Sequence, residues 1–207
     1  MLIKICGCRD PRDVEVAVAA GASAIGVVLV PATRRSVDVQ TARRIAAAAP
    51  EGVLRVGVFR GQSAVEVEEL ATRAGLDAVQ LHDEEPTVDG RRLRRQFLVL
   101  RRWNGEGDPP EDADWIIAEP RGGGGTGKAW EWSSALGLRE RAGRPIMLAG
   151  GLTPENVADA VASARPDAVD VSSGVEVGGR KDPTRIRAFC TAVRGWRDVG
   201  ASAWGIR

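Results

Sequence analysis

Residues 145–174 read PIMLAGGLTPENVADAVASARPDAVDVSSG and hold one strand–helix–strand unit. The apolar, β-rich run Pro145–Ala149 ends in Gly150-Gly151, the helical pattern Pro154–Ala164 follows, and a second run, Ala168–Val171, ends in Ser172-Ser173-Gly174. Thr153 ahead of Pro154 places a capping side chain before a proline at the first helical position. Two apolar runs joined through a helix are the signature of a parallel βαβ unit.

The same alternation extends back to the N-terminus. Six further apolar runs precede this unit: Leu2–Cys6, Ala24–Val30, Leu54–Phe59, Ala78–Leu81, Phe97–Arg101 and Trp115–Glu119. Most are continuously apolar, as barrel strands covered inside by side chains and outside by helices should be. Helical periodicity is found over Pro11–Ala20, Val39–Ala49, Ala64–Ala74, Trp132–Arg141 and Pro183–Val193. Asp182-Pro183 repeats the start signal, and Ala20-Gly21 and Ala74-Gly75 are stop signals. Asp83–Arg95 is only weakly helical, and Asn104–Asp114, rich in Gly, Pro and acid, reads as a loop in place of a helix. Eight strands with six or seven helices predict an α/β fold, a single (β/α)8 TIM barrel over residues 1–194 with one helix shortened or replaced by a loop. Residues 195–207, without clear period, read as a C-terminal extension.

At 207 residues one barrel fits and a second full domain does not. The 29 Lys+Arg and 28 Asp+Glu leave a net charge of +1, which gives no global attraction to nucleic acid or to a membrane surface. No stretch approaches the roughly 20 apolar residues of a membrane span, and MLIKICGCRD lacks a signal-peptide core, so a cytoplasmic protein is expected. Cys6, Cys8 and Cys190 are an odd set, read as reduced thiols, and one histidine without a Cys-x-x-Cys spacing makes a metal site a poor reading. No Gly-x-Gly-x-x-Gly follows the first strand, which argues against a dinucleotide fold. Gly122–Lys128 fails the P-loop pattern because Ala129 follows the lysine, and reads instead as a lid over the barrel mouth.

In a barrel, residues just past the C-terminal strand ends converge on one face. Here they are Cys6-Gly7, Pro31–Arg35, Phe59-Arg60, His82-Asp83, Arg101-Arg102, Glu119, Gly150-Gly151 and Ser172-Ser173-Gly174. A thiol, a carboxylate and arginines facing a glycine corner suit acid/base chemistry on an anionic ligand. Glycines and helix N-termini expose backbone N–H groups, so Gly150, Gly151, Ser172, Ser173 and Gly174 are the candidate phosphate site.

Lys4-Ile5-Cys6-Gly7, Val56–Phe59, Val79–His82, Gly124–Lys128, Ala149–Leu152 and Asp170–Glu176 occur in the order found in the phosphoribosylanthranilate isomerase family of tryptophan biosynthesis, which this chain resembles from about residue 2 to 194. The resemblance implies an Amadori rearrangement of a small phosphosugar, N-(5-phosphoribosyl)anthranilate, to 1-(2-carboxyphenylamino)-1-deoxyribulose 5-phosphate, with no cofactor. It implies Cys6 as general base at C2 of the opened sugar and a carboxyl at the sixth strand end as general acid. The family's aspartate there falls on Glu119, one methylene longer. Arg35 is implied to hold the anthranilate carboxylate, while His82 and Asp170 fall in matched motifs as substrate-binding residues. Cys8 and Cys190 match nothing and read as structural. Arg34 stands where the family usually has proline, and Val30 where it has an aromatic. These departures leave two alternatives open: a related barrel enzyme of specialised metabolism acting on a different phosphoribosyl-amine, and a non-catalytic phosphosugar-binding barrel.

Overall fold

The structure, a computed structural model, describes residues 1–82, 88–119 and 132–195. The glycine run 122–128 and the residues after 195 lie outside these, so the lid and most of the C-terminal extension are not described. Eight parallel strands close in sequence order: β1 (Leu2–Cys6), β2 (Ala24–Val28), β3 (Leu54–Phe59), β4 (Ala78–Leu81), β5 (Leu98–Arg102), β6 (Trp115–Ala118), β7 (Ile146–Leu148) and β8 (Ala168–Val171). Around them run α1 (Pro11–Ala19), α2 (Val39–Ala47), α3 (Ala64–Ala74), the single turn α4 (Gly90–Leu93), α5 (Leu138–Ala142), α6 (Val157–Ala164) and α7 (Pro183–Gly195). A two-stranded ribbon, β9 (Glu176–Val177) with β10 (Arg180–Lys181), stands between β8 and α7.

Local chemistry accounts for most of these boundaries. Asp10 and Asp13 form a capping box with Pro11 inside the first turn of α1, and Ser63 with Glu66 does the same for α3. Gly75 closes α3 at φ 68°, a conformation that costs glycine nothing. Asp182 accepts from the Arg185 N–H at 2.8 Å and starts α7. As expected, the segment between β5 and β6 contains no helix. Two expectations need correction. The pattern Trp132–Arg141 splits into a 3₁₀ turn, Trp132–Ala135, and α5, because Gly137 sits between them at φ 80°. Thr153 does not cap α6: its hydroxyl accepts from the Glu155 N–H, and the helix starts only at Val157.

At the base of the barrel three aspartates, each one residue ahead of a strand, accept an N–H from the first or second residue of the strand before it. Asp77 takes Arg55, Asp114 takes Val99 and Asp167 takes Ile146, each at 2.9 Å. These bonds satisfy backbone donors at the face away from the chemistry. Two cores result from the closure. Ala24, Leu54, Val56, Ala78, Leu100, Trp115, Ile117, Met147, Ala149 and Ala168 fill the inside, and the intervening strand residues pack outward against the helices.

Candidate active site

Strand alternation selects which end residues enter the mouth. Along each strand the positions two and four residues beyond the interior core point inward as well. Lys4 and Cys6 on β1, Gln80 and His82 at β4, Arg102 on β5, Glu119 after β6, and Asp170 and Ser172 at β8 therefore share the interior. The register agrees, with Cys6 beside Gly26, Lys4 beside Asp170 and Arg102 beside Ile117. Arg101 has the opposite parity and points outward, donating to Asp112 at 2.6 Å and to the Val88 carbonyl. Arg60 is exposed at the surface.

Cys6 is 8% exposed, and its backbone carbonyl accepts from the Ser172 hydroxyl at 3.0 Å. Beneath it Lys4, fully buried, donates to Asp170 Oδ1 at 3.0 Å. Burial pushes the Cys6 thiol up, against the pull of the Lys4 ammonium; Asp170 adds to the rise and Lys181 opposes it. The thiol is thus the resting form at neutral pH, and a base made from it is stronger than an ordinary thiolate. Lys4 itself is held charged: burial works against the ammonium, but Asp170 beside it and the Cys6 sulfur more than compensate. Asp170 keeps Oδ2 without a partner among the described residues, an acceptor suited to a sugar hydroxyl.

Glu119 is 9% exposed, its Oε2 lying 3.9 Å from His82 Nδ1 and 4.0 Å from Arg102 Nε. These separations are too long for hydrogen bonds but short enough for charge interaction. The carboxyl stands on β6, around the ring from Cys6 on β1, so a ligand in the mouth has a thiol and a carboxyl on different sides.

The β7 and β8 ends form the glycine corner. Gly150 and Gly151 take φ of 86° and 72°. The N–H groups of Gly150, Gly151, Ser173 and Gly174 have no hydrogen-bond partner among the described residues. A side chain on Gly174 would place Cβ 1.8 Å from the Leu152 carbonyl oxygen, so this glycine is what lets the two loops close on each other. Arg185 fastens them from outside, donating to Gly174 O at 2.9 Å and to Glu155 at 3.1 Å. Gly174→Ala should separate the loops and remove one or two charge-assisted bonds to a bound phosphate. That loss is about 10- to 100-fold in KM, read as KM for a phosphorylated substrate and as weaker competition by inorganic phosphate. An unchanged KM would place the phosphate elsewhere.

Arg35 does not hang free. Its Nε and Nη2 grip both oxygens of Glu176 at 2.7 and 2.9 Å, leaving Nη1 without a partner among the described residues. Glu176 also accepts from Arg34 at 3.2 Å and from Lys181 at 2.8 Å. Burial would raise this carboxyl, but the hydrogen bonds and charges of Arg35 and Lys181 hold it at about 2. Gly7, at φ 76°, makes room for the arginine: a Cβ there would lie 2.6 Å from Arg35 Cδ. Arg9 ties the same wall together by donating to Arg34 O at 3.0 Å and Gly179 O at 2.6 Å.

Residues 3–192 match the family model of N-(5'-phosphoribosyl)anthranilate isomerase. This chain belongs to that family. It is 43% identical over 204 residues to N-(5'-phosphoribosyl)anthranilate isomerase of Pseudomonas fluorescens, covering 92% of this chain and 94% of the relative. Phosphoribosyl anthranilate isomerase of Thermus thermophilus superposes with a TM-score of 0.82 at 36% identity, covering 95% of this chain and all of that one (100%). A further solved isomerase, in complex with reduced 1-(o-carboxyphenylamino)-1-deoxyribulose 5-phosphate, superposes at 0.79 with 35% identity and covers 95% of this chain and 100% of its own.

Within this isomerase-family barrel, Cys6, Arg35, His82, Glu119, Gly150, Gly151, Asp170, Ser172, Ser173 and Gly174 stand at the C-terminal strand ends, while Arg101 turns outward, Arg60 is on the surface, and Asp83 and the glycine run 122–128 lie outside the described residues. Three that the sequence reading passed over also lie at the mouth: Lys4, Glu176 and Lys181. The signal for Lys4 was a charge in the middle of an apolar strand with the parity of Cys6. Glu176 and Lys181 are brought opposite each other only by the ribbon, whose turn Gly178-Gly179 takes φ of 57° and 74°. The departure at Arg34 is absorbed by the same wall, since its guanidinium joins Arg35 on Glu176.

Proposed function

We propose that this chain isomerises N-(5'-phosphoribosyl)anthranilate to 1-(2-carboxyphenylamino)-1-deoxyribulose 5-phosphate. The observation that carries the reading is a thiol and a carboxyl at inward strand ends on different sides of one mouth, beside a corner of backbone N–H groups unpaired among the described residues. The corner, Gly150, Gly151, Ser172, Ser173 and Gly174, takes the phosphate. Arg35, steadied by Glu176, turns its remaining donors to the anthranilate carboxylate. Asp170 and His82 line the sugar.

Glu119 gives its proton to the furanose ring oxygen as the C1–O bond breaks, and the nitrogen lone pair forms the iminium. The Cys6 thiolate then takes the C2 proton, and the C2–H electron pair flows to neutralise the nitrogen, leaving an enol-amine. Its tautomerisation, with a proton returned to C1, yields the ketone. Oxidation at C2 is matched by reduction at C1, so only protons move and no cofactor is required. The phosphorylated substrate is retained inside cells, which favours the cytoplasm; no helix among the described residues is long and apolar enough to cross a membrane.

Loss of substrate fluorescence on adding purified protein to phosphoribosylanthranilate tests the reading, and folded protein that consumes none would redirect it to another phosphoribosyl-amine. The pH dependence follows from Cys6. The base must be deprotonated, so kcat/KM rises as pH rises through the thiol pKa, and the upward shift places that limb above the usual thiol range. A limb centred below the usual thiol value, about 8.5, would contradict the environment described here.

A further inference from the structure

Only three of the 29 cationic residues are lysines: Lys4, Lys128 and Lys181; the remainder are arginines. Two of the three have their side chains buried, 0% and 2% exposed, and the charges of both act on the Cys6 thiol. A guanidinium is a broad fork and an ammonium a compact point charge. In a chain that otherwise uses arginine, these two buried side chains carry the more compact cation. Lys4 reaches its place because Gly26 has no side chain: a Cβ there would lie 3.1 Å from Cys6 Sγ and 3.2 Å from Lys4 Cε, so both groups converge on the same space. Lys181 approaches from the ribbon, donating at 3.0 Å to Ser172 O, and the Ser172 hydroxyl donates in turn to Cys6 O.

We infer that Lys4 and Lys181 are positioning residues for Cys6, two buried ammonium groups that stabilise the thiolate needed for proton abstraction. The inference rests on Cys6 acting as the base. Each lysine has its own carboxylate, Asp170 at 3.0 Å and Glu176 at 2.8 Å. Lys4 is held charged by Asp170 and the sulfur beside it, and Glu176 is held at about 2 by Arg35 and Lys181, so neither loses its charge near neutral pH. Among the described residues, the charged groups that act on Cys6 are Lys4 on its own strand, Asp170 from β8 and Lys181 from β10, with Glu176 and Arg35 paired beyond Lys181; β2 contributes Gly26 and Val28, and β3 Val58. Burial and Asp170 raise the thiol, and the two lysines are the groups that oppose them.

The test titrates thiolate ultraviolet absorbance in folded wild type, Lys4→Met, Lys181→Met and Lys181→Arg, with Cys6→Ser as the blank, and follows kcat/KM against pH in the same proteins. Cys8 and Cys190, pushed up to about 12 and about 11 by burial, contribute little below those values. Each methionine variant is expected to move the Cys6 midpoint and the kcat/KM limb upward together by about one pH unit or more. That is about tenfold less activity below the midpoint, regained at higher pH, with KM nearly constant. Lys181→Arg should titrate close to wild type. Midpoints unmoved in both methionine variants would overturn the inference. If Lys4→Met does not fold, Lys181→Met, in the peripheral ribbon, carries the test. Full activity in Cys6→Ser would instead remove the base assignment, and the absorbance titration would still report whether the lysines act on the thiol.

Discussion

Cys6→Ser is expected to lower kcat by about 10²–10⁴-fold, the range for loss of a general base, with KM and thermal stability nearly unchanged. A hydroxyl fits the space of the thiol between Gly26 and Ser172, but it ionises far above any working pH, so the Lys4 and Lys181 charges have no anion to stabilise. Cys8→Ser is the matched control. That thiol is fully buried on the other side of the strand, points to the Ile5 carbonyl at 3.6 Å and is pushed up to about 12 by burial. It should cost some stability and leave kcat alone. A Cys6→Ser enzyme retaining more than half of the wild-type kcat would remove Cys6 from the mechanism.

Glu119→Gln should produce a loss of similar size, about 10²–10⁴ in kcat, because the amide keeps the shape of the side chain but has no acidic proton for the ring oxygen. Glu119→Asp separates chemistry from reach. It restores the carboxyl that the family carries at this strand end, but draws it back by about 1.5 Å, away from His82 and Arg102. Substantial activity in Glu119→Asp together with loss in Glu119→Gln is the pattern expected of a proton donor. Full activity in Glu119→Gln would show that another group opens the ring. Steady-state kinetics on the two variants, with circular dichroism to confirm folding, decides between these outcomes.

The barrel was legible because its strands and most of its helices are specified locally. Runs such as Leu54–Phe59 and Ala78–Leu81 and start signals such as Asp182-Pro183 act within a few residues, and the observed elements follow them closely. The candidates Cys6, Glu119, Gly150 and Gly174 were equally visible, since each stands at the end of a strand and strand ends share one face in a closed barrel. The inward choice of Arg102 over Arg101 needed the actual parity of β5, which begins at Leu98 where the sequence alone favoured Phe97. Gly174 was readable as a turn, but that it admits the Leu152 carbonyl depends on two loops meeting. Sequence alone therefore determined the order of elements and the chemical types at the mouth. Tertiary structure decided the electrostatics of the base, because Lys4, Asp170, Glu176 and Lys181 are charges whose effect depends on distance and burial. Closing β8 onto β1 brings Asp170 to Lys4, and folding the β9–β10 ribbon back brings Lys181 to the Ser172 carbonyl, where its charge acts on Cys6, across separations in sequence that no local pattern records.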